Sequence, residues 1–356
     1  MHNTHNFIQP GKSPSGEENS PRDLQSPMPR SGRRAFLFAA ASGIALAAGV
    51  SGCVAREPGL RIATNQWLGY ELLHLSRDIP AAGKQTNGGS VHLVELLSNS
   101  DSLQALAAGT VDGAGLTLDE AISARAAGLD LKIVLVFDIS TGADVLLARP
   151  EVAELATLKG KRIGVEQTGV GALMLDAVMR RAGLNAGDIQ IVNLTADQHL
   201  AAYRDHKIDA LVTFEPIVSQ IAAIGGRRLF DSSTIPGAIV DVLAISTAAL
   251  AANPITTRVM LTRYFAALEH LRRDPADAAR RMAPRLGLSP EDVLAGYAGL
   301  EIPDLAENRR LLVGSPAQLE VSAASLAALM LRQKLLAREV KVAHFIDASH
   351  LPEAET

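Results

Sequence analysis

Cysteine is almost missing from this sequence: Cys53 is the only one in 356 residues. No internal disulfide can form, so stability must come from a hydrophobic core rather than covalent staples. Aromatic residues make up 4% of the chain, with a single tryptophan, Trp67. Positive charge is not in excess either, since 34 Lys and Arg stand against 38 Asp and Glu. That balance lacks the basic footprint of a nucleic-acid binder. The nine histidines form no HExxH or other metal-ligand spacing. No G-x-S-x-G elbow and no GxxxxGK[ST] phosphate loop occurs. These absences argue against metallohydrolase, serine hydrolase and nucleotide chemistry, and no metal or cofactor is expected.

What is present begins near the N-terminus with "SGRRAFLFAAASGIALAAGVSGC", residues 31 to 53. Arg33 and Arg34 supply a positive n-region and Ala35 to Val50 an apolar h-region, too short and too rich in Ala and Gly for a membrane span. Val50-Ser51-Gly52-Cys53 resembles the bacterial lipobox, in which the cysteine becomes the lipidated first residue of the mature protein. Gly32 to Leu37 also resembles the twin-arginine export motif, and the ordinary Sec route stays open. Residues 1 to 27 are polar and Pro/Ser-rich, a disorder-like composition, and Met28 is an alternative start. Residues 1–52 are therefore set aside as a disordered stretch plus signal peptide, with Cys53 as the lipidation site. They carry five basic and three acidic residues, which leaves 29 basic against 35 acidic in the remaining 304 residues. That length is enough for two domains.

The rest of the chain alternates short apolar runs with helical stretches, the pattern of a parallel α/β sheet. "GLRIAT", "SVHLVELL", "VDGAGLT", "LKIVLVFDIS", "LKGKRIGVE", "IQIVNL", "IDALVTF" and "VDVLAIST" contain the expected strands. The C-terminal third is helical, broken at Asn253-Pro254, Asp274-Pro275, Ser289-Pro290 and Ile302-Pro303. One pattern occurs twice. Gly109-x-x-Asp112, a strand and Thr117-x-Asp119 are echoed by His206-x-x-Asp209, a strand and Thr213-x-Glu215. Either two ordinary βα units coincide, or two similar lobes face each other with loops at the strand ends, where ligands bind in such sheets.

"NQWLGYELLHLSRD", "SDSLQALAAGTVDGAGLTLDEA", "STGADVLLAR", "LKGKRIGVE" and "KIDALVTFEP" together resemble the periplasmic solute-binding proteins of the nitrate/sulfonate/taurine type, a group that also includes binders of thiamine pyrimidine precursors. The resemblance spans roughly residues 59 to 350. It implies a type II periplasmic binding fold in the α/β class: two lobes joined by two crossover strands, a ligand cleft between them, and no catalysis. Lobe one is expected over 59–149 and 241–350, and lobe two over 150–240. The first crossing is expected after "ADVLLAR" and the return through "DVLAIST".

Candidate ligand contacts lie on loops and helix starts. Gln66 and Trp67 follow the first strand, where the indole walls a ligand or packs in the core. Ser98 and Asn99 open a helix, as do Thr117 and Asp119, so each is a helix cap, a ligand contact or both. Asp144 sits in a "GAD" that the resemblance places near the cleft, where it touches ligand or pins the hinge. Gln167 and Thr168 precede another helix, and Phe214 and Glu215 end a strand opposite. His199 and His206, on one expected helix, are read as solvated surface. Asp119, Asp144, Glu166 and Glu215 meet no obvious Lys or Arg at cleft positions, which tilts the expected ligand toward an amine-bearing or neutral heteroaromatic solute. The expected partners are a small solute, an ABC permease with its cytoplasmic ATPase, and a membrane reached through the lipid anchor, with the receptor itself a monomer. An enzyme or a ligand sensor on the same fold, of the pyrimidine-precursor branch, is the alternative.

Overall fold

The computed structural model describes residues 57–79 and 89–353. The leader, the lipobox and Cys53 lie outside the described residues. Along the chain run β1 (Leu60–Thr64), α1 (Glu71–Asp78), β2 (Val91–Glu95), α2 (Asn99–Ala107), β3 (Gly113–Thr117), α3 (Leu118–Ala126) and β4 (Leu131–Ser140). Next come β5 (Val145–Ala148), β6 (Arg162–Val165), α4 (Gly169–Ala182), β7 (Gln190–Asn193), α5 (His199–Arg204), β8 (Ala210–Thr213), α6 (Ile217–Ala222), β9 (Arg227–Asp231) and β10 (Val240–Ser246). The helical third holds α7 (Thr247–Ala252), α8 (Pro254–Arg273), α9 (Pro275–Leu286), α10 (Pro290–Tyr297), β11 (Leu300–Glu301), α11 (Leu305–Leu312) and α12 (Gln318–Arg332).

The strands form two separate sheets, ordered β11-β4-β10-β3-β1-β2 and β7-β6-β8-β5-β9. Each has a parallel trio, β2-β1-β3 or β7-β6-β8, continued by an antiparallel strand, β10 or β5. The inner strands β1, β3, β6 and β8 are largely buried apolar runs such as Ala210–Thr213, while β2 and β7 are the more exposed edges. Each sheet has its own hydrophobic core: Leu72, Leu116 and Phe137 belong to the first, Ile163, Met174 and Val178 to the second. The result is the two-lobed α/β fold that the resemblance implied.

The first boundary differs from expectation. Val145–Ala148 pairs with β8 and β9, so the chain crosses at residues 141–144, before that strand rather than after Arg149. "VLLA" is apolar throughout and carries no alternation to say which sheet it joins. The return crossing lies at 232–239, between β9 and β10. Three of the expected helix breaks are helix starts, with Pro254, Pro275 and Pro290 at the first helical position, where the missing N–H costs nothing.

The repeated sequence pattern is structural. Asp112 accepts hydrogen bonds from the Arg61 backbone N–H at 2.8 Å, Nε at 3.0 Å and a terminal guanidinium nitrogen at 2.7 Å. Asp209 accepts the same three from Arg162 at 2.8, 3.1 and 2.8 Å. Gly109 and His206, three residues earlier in each case, both take left-handed backbone, with φ of 68° and 57°. Each clasp joins the central strand of a parallel trio, β1 or β6, to the turn that feeds the trio's last strand, β3 or β8. A charge-assisted fork at a largely exposed arginine is a modest stabiliser, strengthened here by the backbone N–H it also engages. Asp112→Ala and Asp209→Ala should each lower the urea midpoint of unfolding measurably. An unchanged midpoint would show the clasps to be decorative.

Candidate functional site

The carboxyl ends of β1, β3, β6 and β8 face one another across the gap between the two sheets. The antiparallel β10 enters at the same level, with Asp241 opposite Thr117. The residues there enclose a cavity that leaves about 30 Å³ for the centres of water molecules, room for about two. It shares Glu166, Thr168 and Gly171 with a larger cavity of about 390 Å³ that runs outward past Gln167, Leu175 and Met330.

Six of the expected residues, Trp67, Asn99, Thr117, Asp144, Thr168 and Phe214, line the inner cavity together. The Trp67 loop is set by Asn65, whose Oδ1 accepts from the Trp67 backbone N–H at 2.8 Å and whose amide donates to Asn99. The indole Nε1 donates to Asp138 at 3.0 Å. Phe214 meets the indole edge-on, with ring centroids 5.4 Å apart. Trp67 is therefore both buried and a cavity wall. Asp144 combines two roles in the same way. Its backbone pins the crossing, donating to Ser140 Oγ at 3.3 Å and accepting from the Ser232 N–H at 2.9 Å, while its side chain lines the cavity.

The other expected residues sit elsewhere. Ser98 is the N-cap of α2, accepting from the Asp101 N–H at 3.1 Å. Gln66 is exposed, and Gln167, also exposed, lines the outer cavity. Glu215 turns to the other side of the crossings, where both its oxygens accept from Ser219, beside Arg228 and Gly142. Asp119 is 1% exposed, and its carboxylate lies against Gly169 at the start of α4, in the opposite lobe.

Two helix starts are thus met by acids from the facing lobe. Glu166, from the β6–α4 turn, accepts from the Ser100 N–H at 3.1 Å and the Ser100 hydroxyl at 2.7 Å, in the first turn of α2. Asp119 lies at the first turn of α4. Backbone N–H groups and the helix dipole favour negative charge at such ends. These contacts, with Trp67 against Phe214, hold the lobes together in a closed arrangement.

The acids around the cleft share one electrostatic character. Desolvation pushes Asp144 up to about 6 and Asp119 to about 6, the latter only partly offset by the Thr117 hydroxyl and the Val170 N–H. Glu120 rises to about 8 through burial and the neighbouring Asp119 charge. Asp138 also rises to about 8, by burial against the opposing effect of Trp67, and with Asp144 nearby. Burial and Asp138, its direct cross-strand neighbour, carry Asp241 well above the carboxylate range. Burial also raises Glu166.

Sequence reasoning left several lining residues out. Asp241 lines the cavity, and Asp138 lies behind it on β4; both interrupt apolar strands, the signal that could have found them. His199 corrects the surface reading: it is 1% exposed, lines the cavity, and its Nδ1 lies 3.0 Å from Thr213 Oγ1. Burial lowers its pKa to about 4, so the imidazole is neutral. His206 is exposed. Among the described residues, no group of three or more His, Cys, Asp or Glu is arranged to hold a metal, and no helix is long and apolar enough to cross a membrane.

With this geometry in place, the likeness to known proteins is specific. A candidate aliphatic sulfonates-binding protein of Escherichia coli (strain K12) is 32% identical over 144 residues, 40% of this chain and 45% of that protein. The chain thus spans under half the length of this curated relative. The alkanesulfonate-binding protein SsuA from Xanthomonas axonopodis pv. citri, solved bound to MOPS, superposes with a TM-score of 0.68 at 24% identity, covering 82% of this chain and 98% of that one. The periplasmic aliphatic sulphonate binding protein SsuA from Escherichia coli gives a TM-score of 0.64 at 21% identity, over 84% and 94% of the two chains. The fold is that of these periplasmic binding proteins. Residues 56–287 match the NMT1-like family, more than half of the sequence, and the chain belongs to that family.

Proposed function

We propose that this protein is the solute receptor of an ATP-driven importer, exported from the cytoplasm and tethered to a bacterial membrane by an acyl group on Cys53. The observation that carries this is the cleft: strand ends of both lobes converge on one buried cavity, and the lobes meet across it at Trp67 with Phe214, Ser100 with Glu166 and Asp119 with Gly169. Such a gap can open on two short crossings and close on a solute, a hinge motion driven by the ligand's preference for the closed state. The aliphatic sulfonates-binding and taurine-binding names of two relatives support this reading, in which a permease and a cytoplasmic ATPase are the partners. Catalysis is not part of this role.

A thermal-shift screen of alkanesulfonates, taurine, nitrate, amines, amidines and pyrimidines tests it. One chemical class should raise the melting temperature by about 5–10 °C at a hundredfold excess over Kd. The same solute should bind one to one and shift the emission of Trp67, the single tryptophan. Chemical turnover of the hit would point to an enzyme instead, and a flat screen would remove the receptor reading.

A further inference from the structure

Building on the receptor reading, we infer that the cleft takes a small organic cation, a protonated amine or amidine with an apolar or aromatic body, and not the free sulfonate or nitrate anion. Three independent observations point this way.

The first is the placement of the two helix starts. An anion entering this cleft would look for backbone N–H groups, and the first turns of α2 and α4 are where they gather. A carboxylate from the facing lobe already stands at each: Glu166 of the second lobe accepts from Ser100 on α2, and the Asp119 carboxylate of the first lobe lies against Gly169 of α4. The closed lobes thus carry their own anions.

The second is the charge of the lining. Asp144, Glu166 and Asp241 face the inner cavity, and Glu120 and Glu166 the outer one. Among the described residues neither cavity is lined by any Lys or Arg, and His199 is held neutral by burial. Asp241 and Glu120 are held protonated by burial and carry no charge at neutral pH, but Asp144 is ionised there, and a sulfonate would be desolvated beside it with no countercharge.

The third is an unfilled acceptor. Asp144 is 4% exposed, and its Oδ2 has no hydrogen-bond partner although the side chain lines the cavity. Thr117 Oγ1 and His199 Nε2 on the same wall are unpaired too, but either can donate or accept, whereas the ionised Asp144 oxygen can only accept and so marks where a donor belongs. A protonated nitrogen supplies both the N–H and the countercharge. The inner space between Trp67 and Phe214 takes the charged head alone, with a cation–π contribution where the charge lies over a ring, and the carbon body extends into the adjoining larger cavity past Leu175 and Met330.

The test uses the full chain, with benzylamine and benzamidine as cations against ethanesulfonate, benzenesulfonate and nitrate as anions, in calorimetry at pH 7.5 with Trp67 emission as second readout. At least one cation should bind saturably one to one, with the anions at least tenfold weaker. Asp144→Asn should weaken the cation at least tenfold, while Glu301→Gln, on the exposed β11, leaves it unchanged. A melting temperature for Asp144→Asn at or above that of the parent chain shows that the loss is local, since removing a buried acid with a raised pKa can only stabilise the fold at this pH. Saturable binding of ethanesulfonate, benzenesulfonate or nitrate in preference to the cations overturns the inference and leaves the receptor reading standing. Equal cation binding by Asp144→Asn also overturns it. Silence from all five probes overturns it as well, and silence extended to the whole solute screen removes the receptor reading too.

Discussion

Raising the pH from 5 to 8 should lower the melting temperature by roughly 10 °C or more, and Asp138→Asn should recover much of that loss at pH 8. Asp138 lies on β4 directly opposite Asp241 on β10, and both are buried. Asp138 Oδ2 accepts from the Trp67 indole, Asp241 Oδ1 accepts from the Tyr70 hydroxyl at 2.6 Å, and Asp138 Oδ1 has no partner. Burial makes both resist ionisation: it holds Asp138 at about 8, with the Asp144 charge adding to it, and it carries Asp241 well above the carboxylate range, with the Asp138 charge adding to it. In the unfolded chain an aspartate ionises near 3.9. Across pH 5–8 the folded state therefore holds protons that the unfolded state has released. Stability from such groups is complete below the unfolded pKa and is lost as pH rises toward the folded one. Asp138 alone costs about 1.4 kcal/mol per pH unit, about 4 kcal/mol over the range. At roughly 2–4 °C per kcal/mol this gives the stated shift. Asparagine keeps an acceptor for the indole N–H and removes one titration. The variant should show a shallower slope and a higher melting temperature at pH 8, read by scanning calorimetry from pH 5 to 8. A melting temperature that climbs toward pH 8 in the parent chain would contradict the buried-acid arrangement itself.

The second large effect is expected at Gly169. A Cβ added there would overlap the Asp119 carboxylate and stand 2.9 Å from the Asp119 Cβ. Asp119 is buried, so its side chain must shift within the contact between the lobes to make room. Gly169 is not in the left-handed region, so alanine fits its backbone, and the conflict arises only when the lobes meet. Forcing extra volume into a packed contact costs about 1–3 kcal/mol. That cost falls on the closed state alone, so Gly169→Ala should weaken solute binding roughly tenfold to a hundredfold with little change in unfolding midpoint. Small-angle scattering should show an enlarged radius of gyration and a weaker contraction with solute. Adding Asp119→Ala removes the overlapping oxygens and should restore part of the affinity. If Gly169→Ala closes and binds like the parent chain, the contact between these residues does not govern closure.

Much of the architecture was readable from residues because it rests on local signals. The alternation of apolar strands and helices, prolines at helix starts, and Gly183 ending α4 with φ of 67° each obey a rule spanning a few residues. The recurrence of Gly109-x-x-Asp112 in His206-x-x-Asp209 was visible as well, though not that each acid grips an arginine about fifty residues earlier. What stayed hidden depends on which strands become neighbours. Val145–Ala148 carries no mark of its sheet. His199 lies in "DQHLAAYRDHK", whose charges read as surface, yet its own position opens α5 at the sheet's carboxyl edge, where Thr213 waits. Glu215 was expected to face a ligand, but the hydroxyl and backbone N–H of Ser219, one turn on, claim it. A cap of this kind depends on the backbone path after the strand, which residue identity alone leaves open.

The twin arginine–aspartate clasps bear on mechanics. Each is confined to one sheet, Arg61 with Asp112 and Arg162 with Asp209, and neither reaches across the gap. Spreading the halves apart thus leaves both fasteners untouched and concentrates bending in the two ribbons at 141–144 and 232–239. The molecule is built as a pair of independently stiffened shells, so the work of opening is spent at the seam where solute is held and not in deforming the shells themselves.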